Sequence, residues 1–208
     1  MGFSFDAPGG DQLNGDDGNR IGEPGTFHLV ITSVKEGEGP SGKPIDGFTF
    51  EADVLGGTVE GCAGKAHRET LFAPNLSGSD AAQAMARKKL AAFFIATGVM
   101  IPDQLGKSVD IDVDKAIGKQ LIVDLERQKD KDEKGKYTIP TKYVQTAYAN
   151  IYHVDDPDVK DIPKNAEALG MRDDADKHGP EWFAFKAKKG AQPTPAAAGA
   201  SGDQFDDL

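Results

Sequence analysis

Residues 80–97 read DAAQAMARKKLAAFFIAT, the one long stretch of the chain with helical periodicity. Apolar side chains recur every three or four residues, so one side of such a helix is apolar and the other faces water. Asp80 and Gln83 form a capping-box pair at its start, and Gly98 stands where helices commonly end. We therefore predict a helix over 80–97.

Segments with the alternating pattern of β-strands flank this helix on both sides. Three precede it, at 26–37, 47–55 and 66–72. Two follow it, at 119–128 and 137–154, with a short turn at 113–117 and an exposed hairpin tip at 129–136. Three strands, one helix and two strands is the element order of the OB-fold, a five-stranded Greek-key barrel that binds oligonucleotides on one face. We predict an all-β domain with one helix between strands 3 and 4, an OB-fold-like barrel over residues 26–154.

Four phenylalanines are expected in the core of this barrel. Phe48 and Phe50 lie on the apolar face of the second predicted strand, and Phe93 and Phe94 lie in the helix. The extension at 155–189 carries three more aromatic residues, which we expect to pack on the barrel or on a partner chain: Trp182, Phe183 and Phe185.

The net charge of −10 is concentrated at the two ends of the chain. Residues 1–25 contain one basic and five acidic residues, and residues 155–208 contain seven and 12. Residues 26–154 contain 16 basic and 17 acidic residues and are therefore close to neutral. The acidic total therefore does not exclude a central domain that binds nucleic acid.

Both ends have the composition of flexible segments. Residues 1–25 are rich in Gly, Asp and Asn and are predicted to form a loose arm. Residues 190–202 have no charge and no large side chain, so 190–208 is predicted to be a disordered linker followed by an acidic tip. With one Cys, no apolar run long enough to span a membrane and no signal peptide, we expect a soluble, cytoplasmic protein.

The segment GEGPSGKP (37–44) is similar to a phosphate-binding loop, but Pro44 replaces the Ser or Thr that would hold magnesium. That motif must also open a helix, whereas a strand is predicted here. We interpret the segment as a loop between strands, from which Lys43 is still able to reach a phosphate.

Other candidates for catalysis or metal binding are equally weak. Asp110, Asp112 and Asp114 would form either a cation site or a solvated edge with a helix cap, and we favour the cap. The four histidines have no paired spacing, and Cys62 has no partner thiol. We predict no catalytic residue, no metal and no cofactor. A magnesium-dependent enzyme that uses the three aspartates is the least favoured alternative.

Basic and aromatic residues alternate in the second half of the domain. Proteins that bind single strands need cations along the backbone and flat rings that stack on bases. The alternative is that the tyrosines pack in the barrel with their hydroxyls at its rim. The candidates are Lys35 and Lys43 near the first loop, Lys65, His67 and Arg68 on the third strand, Arg127, Lys129 and Lys131 leaving the fourth, and Tyr137, Lys142, Tyr143, Tyr148 and Tyr152 along the fifth.

The last six residues, DQFDDL (203–208), resemble the acidic tips of bacterial and phage single-stranded DNA-binding proteins. Members of that family carry an OB-fold, a flexible linker and a terminal peptide of Asp residues with an aromatic or apolar anchor. Their tips usually end in Phe, whereas Leu208 is last here and Phe205 lies three places in. The resemblance implies that Asp203, Asp206 and Asp207 contact a basic rim on a partner protein while Phe205 or Leu208 fills an apolar pocket.

Segments within 26–154, such as KKLAAFFIATGVM and DKAIGKQLIVDLE, are also similar to small phage-encoded early proteins of this type. The resemblance implies a protein that coats single-stranded DNA during replication, recombination or repair in a bacterial cell and recruits replication or recombination proteins through its tip. The sequence leaves the oligomeric state open, a homo-oligomer included. The alternative function is a protein-binding module, or a nucleic-acid mimic, that acts through its acidic ends. A looser version treats residues 204–208 as a sliding-clamp peptide.

Overall fold

A computed structural model describes residues 19–39 and 42–187 of the chain. Five strands form one antiparallel sheet: β1 (Gly25–Glu38), β2 (Pro44–Gly57), β3 (Ala66–Phe72), β4 (Gln120–Lys131) and β5 (Tyr137–His153). Three α-helices lie within the described residues: α1 (Asp80–Ala96) between β3 and β4, and the short α2 (Ala166–Gly170) and α3 (Ala184–Ala187) after β5. The predicted mostly β fold is therefore confirmed, as is the helix between the third and fourth strands. The prediction of a single helix was wrong, because two further short helices follow β5.

The strands are ordered β3-β2-β1-β4-β5, so the central β1 separates two hairpins. β1 pairs with β2 over most of its length but with β4 only from Gly25 to Val30. Beyond that point β4 and β5 pair with each other alone. They form a two-stranded projection, residues 126–145, which we call the hairpin arm.

The core lies between the sheet and the C-terminal half of α1. Phe48, Phe50, Phe93 and Phe94 are all buried there, as predicted, with ring centroids 5.0–5.6 Å apart in successive contacts. Aromatic rings in such tilted and edge-on arrangements gain stabilisation beyond the area they bury. These phenylalanines are therefore structural residues.

The start of α1 is capped differently from the prediction. Ser79, one residue earlier than Asp80, is the N-cap, and its hydroxyl accepts a hydrogen bond from the Ala82 backbone N–H at 3.3 Å. The Gln83 side chain donates to the Gly78 carbonyl at 3.0 Å instead of completing a capping box. The helix ends as expected, because Gly98 has a φ of 70° and stops it.

A buried carboxylate joins the two edges of the sheet. Glu69 of β3 accepts hydrogen bonds from the Thr146 backbone N–H of β5 at 3.2–3.3 Å and from the Thr146 hydroxyl. Lys89 of α1 contacts the same carboxylate at 2.5 Å, and His67 contacts it at 3.2 Å. Burial alone would raise the pKa of Glu69, but the His67 hydrogen bond and the Lys89 charge outweigh it and lower this pKa to about 2. The ionised carboxylate thus holds β3, α1 and β5 together.

The chain after β5 lies against the sheet. Asp155 accepts two hydrogen bonds from the Arg172 guanidinium, at 2.8 and 3.0 Å, and a third from the His178 backbone N–H at 3.0 Å. Gln120 at the start of β4 donates to the Ala168 carbonyl of α2 at 2.7 Å. The segment therefore packs on the chain's own sheet. Phe183 is buried there and Phe185 is partly buried.

Candidate nucleic-acid interface

All four tyrosines of the chain lie on β5, and each has a lysine ammonium over its ring. The Nζ-to-centroid distances are 4.0 Å for Lys88–Tyr148, 5.0 Å for Lys186–Tyr152, 5.1 Å for Lys131–Tyr137 and 5.2 Å for Lys142–Tyr143. All four distances are within the range of a cation–π interaction. β5 therefore carries a series of ring-and-cation pairs, which we call the tyrosine–lysine row.

Three of these rings are accessible. Tyr137 is 63% exposed, Tyr143 is 52% exposed and Tyr148 is 51% exposed, while Tyr152 is half-buried. Rings that packed in a barrel interior would be buried, so these three tyrosines do not fit the packing interpretation. A surface ring of this kind can stack on a nucleobase, because every base has a π-face.

A bulge in β5 sets the position of Tyr148. Residues 147–150 stand opposite Asp124 alone in the β4–β5 register. Tyr148 has a φ of 54°, the left-handed region that costs a non-glycine residue about 1–2 kcal/mol. Bulges commonly re-aim a side chain next to a functional site. Here Tyr148 meets α1, whose Lys88 lies over its ring.

A groove runs beside this bulge, between α1, the second half of β5 and the chain after β5. Its volume is about 540 Å³, and its lining includes apolar side chains such as Ile95 and Ile151 together with Tyr148 and Tyr152. Lys186 at its rim is paired with Asp156 and, at 2.8 Å, with Asp158. Two carboxylates thus neutralise this lysine, so this end of the row attracts phosphate less than the hairpin arm does.

The hairpin arm carries four of the eight predicted Lys and Arg residues. Residues 126–145 contain six Lys or Arg and four Asp or Glu, and most of the arm is exposed. Arg127 points its guanidinium at the Thr141 carbonyl across the arm at 3.4 Å, while Lys129 and Lys131 are exposed. At the tip, Asp132 accepts backbone hydrogen bonds from Lys134 and Lys136 at 2.8–2.9 Å, and these bonds fix the turn.

The β3 candidates do not all reach the surface. His67 is 3% exposed and its ring contacts Glu69, so we leave it out of the proposed interface. Arg68, the next residue of β3, is partly exposed and lines one cleft together with Lys142 and Tyr143 of β5. Lys65 is partly exposed at the start of β3, away from that cleft lining.

The candidates near the first loop are exposed but separate from the tyrosines. Lys35 is on β1 and lies 3.7 Å from Glu38, and Lys43 directly precedes β2. Residues 40 and 41 between them lie outside the described chain. A strand follows this loop, as expected, so the helix that a phosphate-binding loop requires is not formed.

Several basic residues of the interface were not found from the sequence. Lys88 of α1 was not among the candidates, and Lys186 lies beyond the predicted domain. Arg20 was placed in the loose arm, yet the next residue, Ile21, donates its backbone N–H to the Ala66 carbonyl of β3 at 3.0 Å. The fold brings these residues close to β3 and β5, and nothing in their local sequence indicates this proximity.

The aspartates at 110–114 form a cap, as we favoured. Asp112 is the N-cap of a 3₁₀ turn at Val113–Ala116 and accepts a hydrogen bond from the Asp114 backbone N–H at 3.3 Å. Within residues 19–39 and 42–187, no group of three His, Cys, Asp or Glu side chains is arranged to hold a metal ion. None of the helices in those ranges is long and apolar enough to cross a membrane.

The predicted tip residues, 203–208, lie outside the described residues, as does most of the N-terminal arm. A scan of protein-family models finds no match to the sequence, and a search of curated proteins finds none either.

Proposed function

We propose that the protein is a non-enzymatic single-stranded DNA-binding protein that coats DNA largely without sequence preference. The observation that carries the proposal is the tyrosine–lysine row, in which each exposed ring on β5 has a cation beside it. Bases stack on rings at about 1–3 kcal/mol each, and lysines neutralise the phosphates between them. Neither contact reads base edges, so little sequence preference is expected.

The sheet supports this proposal as an OB-fold-like barrel. The order β3-β2-β1-β4-β5 with the β3 and β5 edges joined through Glu69 and Thr146 is compatible with a five-stranded barrel closed between those strands. The hairpin arm then corresponds to the loop between strands 4 and 5, one of the two loops with which OB-folds bind oligonucleotides. On this basis the DNA follows β5 and the arm.

The partners and setting of the protein are part of the same proposal. A DNA coat in a phage-infected bacterial cytoplasm would recruit replication or recombination proteins through Asp203, Phe205, Asp206, Asp207 and Leu208. The alternative, a module that binds a basic protein through its acidic ends, uses the same tip but leaves the tyrosine–lysine row without a role.

Fluorescence anisotropy with a labelled oligo-dT of about 20 nucleotides tests the proposal. We expect tight binding at about 50 mM salt, at least tenfold weaker binding at about 200 mM, and little binding to duplex DNA of the same length. Absence of binding at the lower salt concentration would refute the function, and a preference for duplex would contradict it.

Deletion of residues 203–208 separates the two functions. Under the proposal the truncated protein keeps or gains affinity for oligo-dT, because the deletion removes three carboxylates and no ring of the row. Under the alternative, the full-length protein does not bind oligo-dT and the deletion abolishes binding to a basic partner. A control that replaces Asp203, Asp206 and Asp207 with Asn keeps the length of the tip and isolates the effect of charge.

A further inference from the structure

A cleft lies where the start of the described chain meets the edges of β3 and β5. Arg20, Arg68 and Lys142 line it, and the half-exposed ring of Tyr143 forms part of its wall. Its volume is about 120 Å³, which is enough for several water molecules and so for a phosphate group. Three cations from three separate segments thus converge on one small opening.

The guanidinium of Arg68 is poorly satisfied inside the protein. Its Nε atom is buried and donates no hydrogen bond within the described part of the chain. The carboxylate of Glu51 lies 3.6 Å from that Nε atom, which is beyond hydrogen-bond distance. Glu51 therefore orients the side chain without bonding its Nε–H group, and the two terminal nitrogens of a guanidinium can donate parallel hydrogen bonds to a phosphate.

Arg20 is the second arginine of the cleft lining. It is exposed, and a parallel β-bridge to Ala66 holds its backbone beside β3. Because the bridge fixes the backbone from which the Arg20 side chain extends, less conformational entropy is lost when this side chain binds an anion. The side chain of Lys142, next along the cleft, also lies over the Tyr143 ring at 5.2 Å.

We propose that this cleft is a phosphate subsite in which Arg20 and Arg68 hold one backbone phosphodiester of single-stranded DNA while an adjacent base stacks on Tyr143. The inference rests on the proposed function and deepens it by fixing where one phosphate lies relative to one ring. The nucleotide at this point enters the tyrosine–lysine row from the β3 side.

Salt dependence tests the subsite in the full-length protein. The magnitude of the negative slope of log K against log salt should decrease by about 0.7 in Arg20→Gln and in Arg68→Gln, the value for one lost contact to a single strand. Arg87→Gln removes the same charge from an exposed site on α1 and should leave the slope unchanged. If wild type binds oligo-dT and the slopes of Arg20→Gln and Arg68→Gln equal that of Arg87→Gln, the subsite is refuted while the function stands.

A second measurement does not depend on oligonucleotide affinity or on the folding of a variant. The ¹H–¹⁵N resonance of the Arg68 Nε–H group is followed while wild-type protein is titrated with the dinucleotide TpT and, separately, with inorganic phosphate. We expect a saturable shift at lower concentration with TpT than with phosphate, because only TpT offers a base to Tyr143. A shift with phosphate but not with TpT would show that the cleft binds a free anion, and it would overturn the proposal that the cleft binds a phosphodiester. No shift with either would overturn the subsite, even if oligo-dT fails to bind.

Discussion

Replacing Glu69 with Gln tests the contact that joins the two edges of the sheet. The carboxylate is buried, with 7% of its side chain exposed, and it accepts hydrogen bonds from β5 while contacting Lys89 of α1. Glutamine keeps the shape and one acceptor oxygen but removes the charge. The variant therefore isolates the electrostatic part of the contact.

The expected loss of unfolding free energy in Glu69→Gln follows from the pKa of Glu69. Its lowering from 4.5 to about 2 corresponds to about 3 kcal/mol of folding free energy at neutral pH. Removing one partner of a buried ion pair typically costs about 3–5 kcal/mol, and Lys89, with 22% of its side chain exposed, can turn to water and keep the cost near the lower limit. A loss of about 3 kcal/mol lowers the melting temperature of a chain this long by roughly 6–12 °C.

The same pKa determines how the stabilisation by Glu69 changes with pH. Because the folded-state pKa is depressed, the stabilisation is complete above the unfolded value of 4.5 and is lost as the pH falls toward 2. The difference between wild type and Glu69→Gln should therefore shrink from about 3 kcal/mol at pH 7 to about half of that at pH 3.

Urea unfolding followed by circular dichroism at both pH values measures this difference. Glu36→Gln, at an exposed position of β1, serves as the control and should change stability by less than about 0.5 kcal/mol. If Glu69→Gln matched this control at pH 7, or kept a constant difference from wild type down to pH 3, the assigned role of Glu69 would be wrong.

Three further predictions concern other parts of the fold. Gly47→Ala should lower the free energy of unfolding in urea by about 1–3 kcal/mol, because the φ of Gly47 is 144° and a Cβ there would lie 2.2 Å from a β3 carbonyl oxygen. The control Gly37→Ala, where a Cβ would meet open space, should lower it by about 1 kcal/mol. Burial lowers the pKa of His28 to about 4, so the free energy of unfolding of the wild type should decrease as the pH is lowered from 6.5 to 4. In His28→Gln this decrease should be smaller by about 3 kcal/mol. Asp155→Asn should loosen the chain after β5, measured as faster proteolysis and altered Trp182 fluorescence; an unchanged digest would contradict this.

Local patterns were sufficient for the strands and the long helix. Alternation over 66–72 predicted β3 to the residue, and the period of 80–97 predicted α1 within one residue of each end. The cap was misassigned because Ser79 and Asp80 are both good N-cap residues and stand side by side. The phenylalanine core could be predicted because each ring lies on an apolar face of its own element.

The interface could be predicted only in part. Tyr143 and Tyr148 were candidates because basic and aromatic residues alternate along the predicted strand. The bulge at 147–150 depends on the register of β5 against β4, which no local pattern encodes. The contact of Lys89 with Glu69 joins residues 20 positions apart on different elements. Arg20 lies in a segment whose Gly- and Asp-rich composition indicates an arm, and its position is set by pairing with β3.

In the proposed function, the rings of the tyrosine–lysine row stack on bases. The most direct measurement compares oligo-dT affinity for two triple variants at Tyr137, Tyr143 and Tyr148, one with Phe and one with Leu, after circular dichroism shows that both are folded. Phe keeps each ring and should bind within about twofold of wild type, whereas Leu should bind at least about 100-fold more weakly, since three lost stacks cost about 1 kcal/mol each at the minimum. Equal affinities for the Phe and Leu variants would show that these rings do not stack on bases.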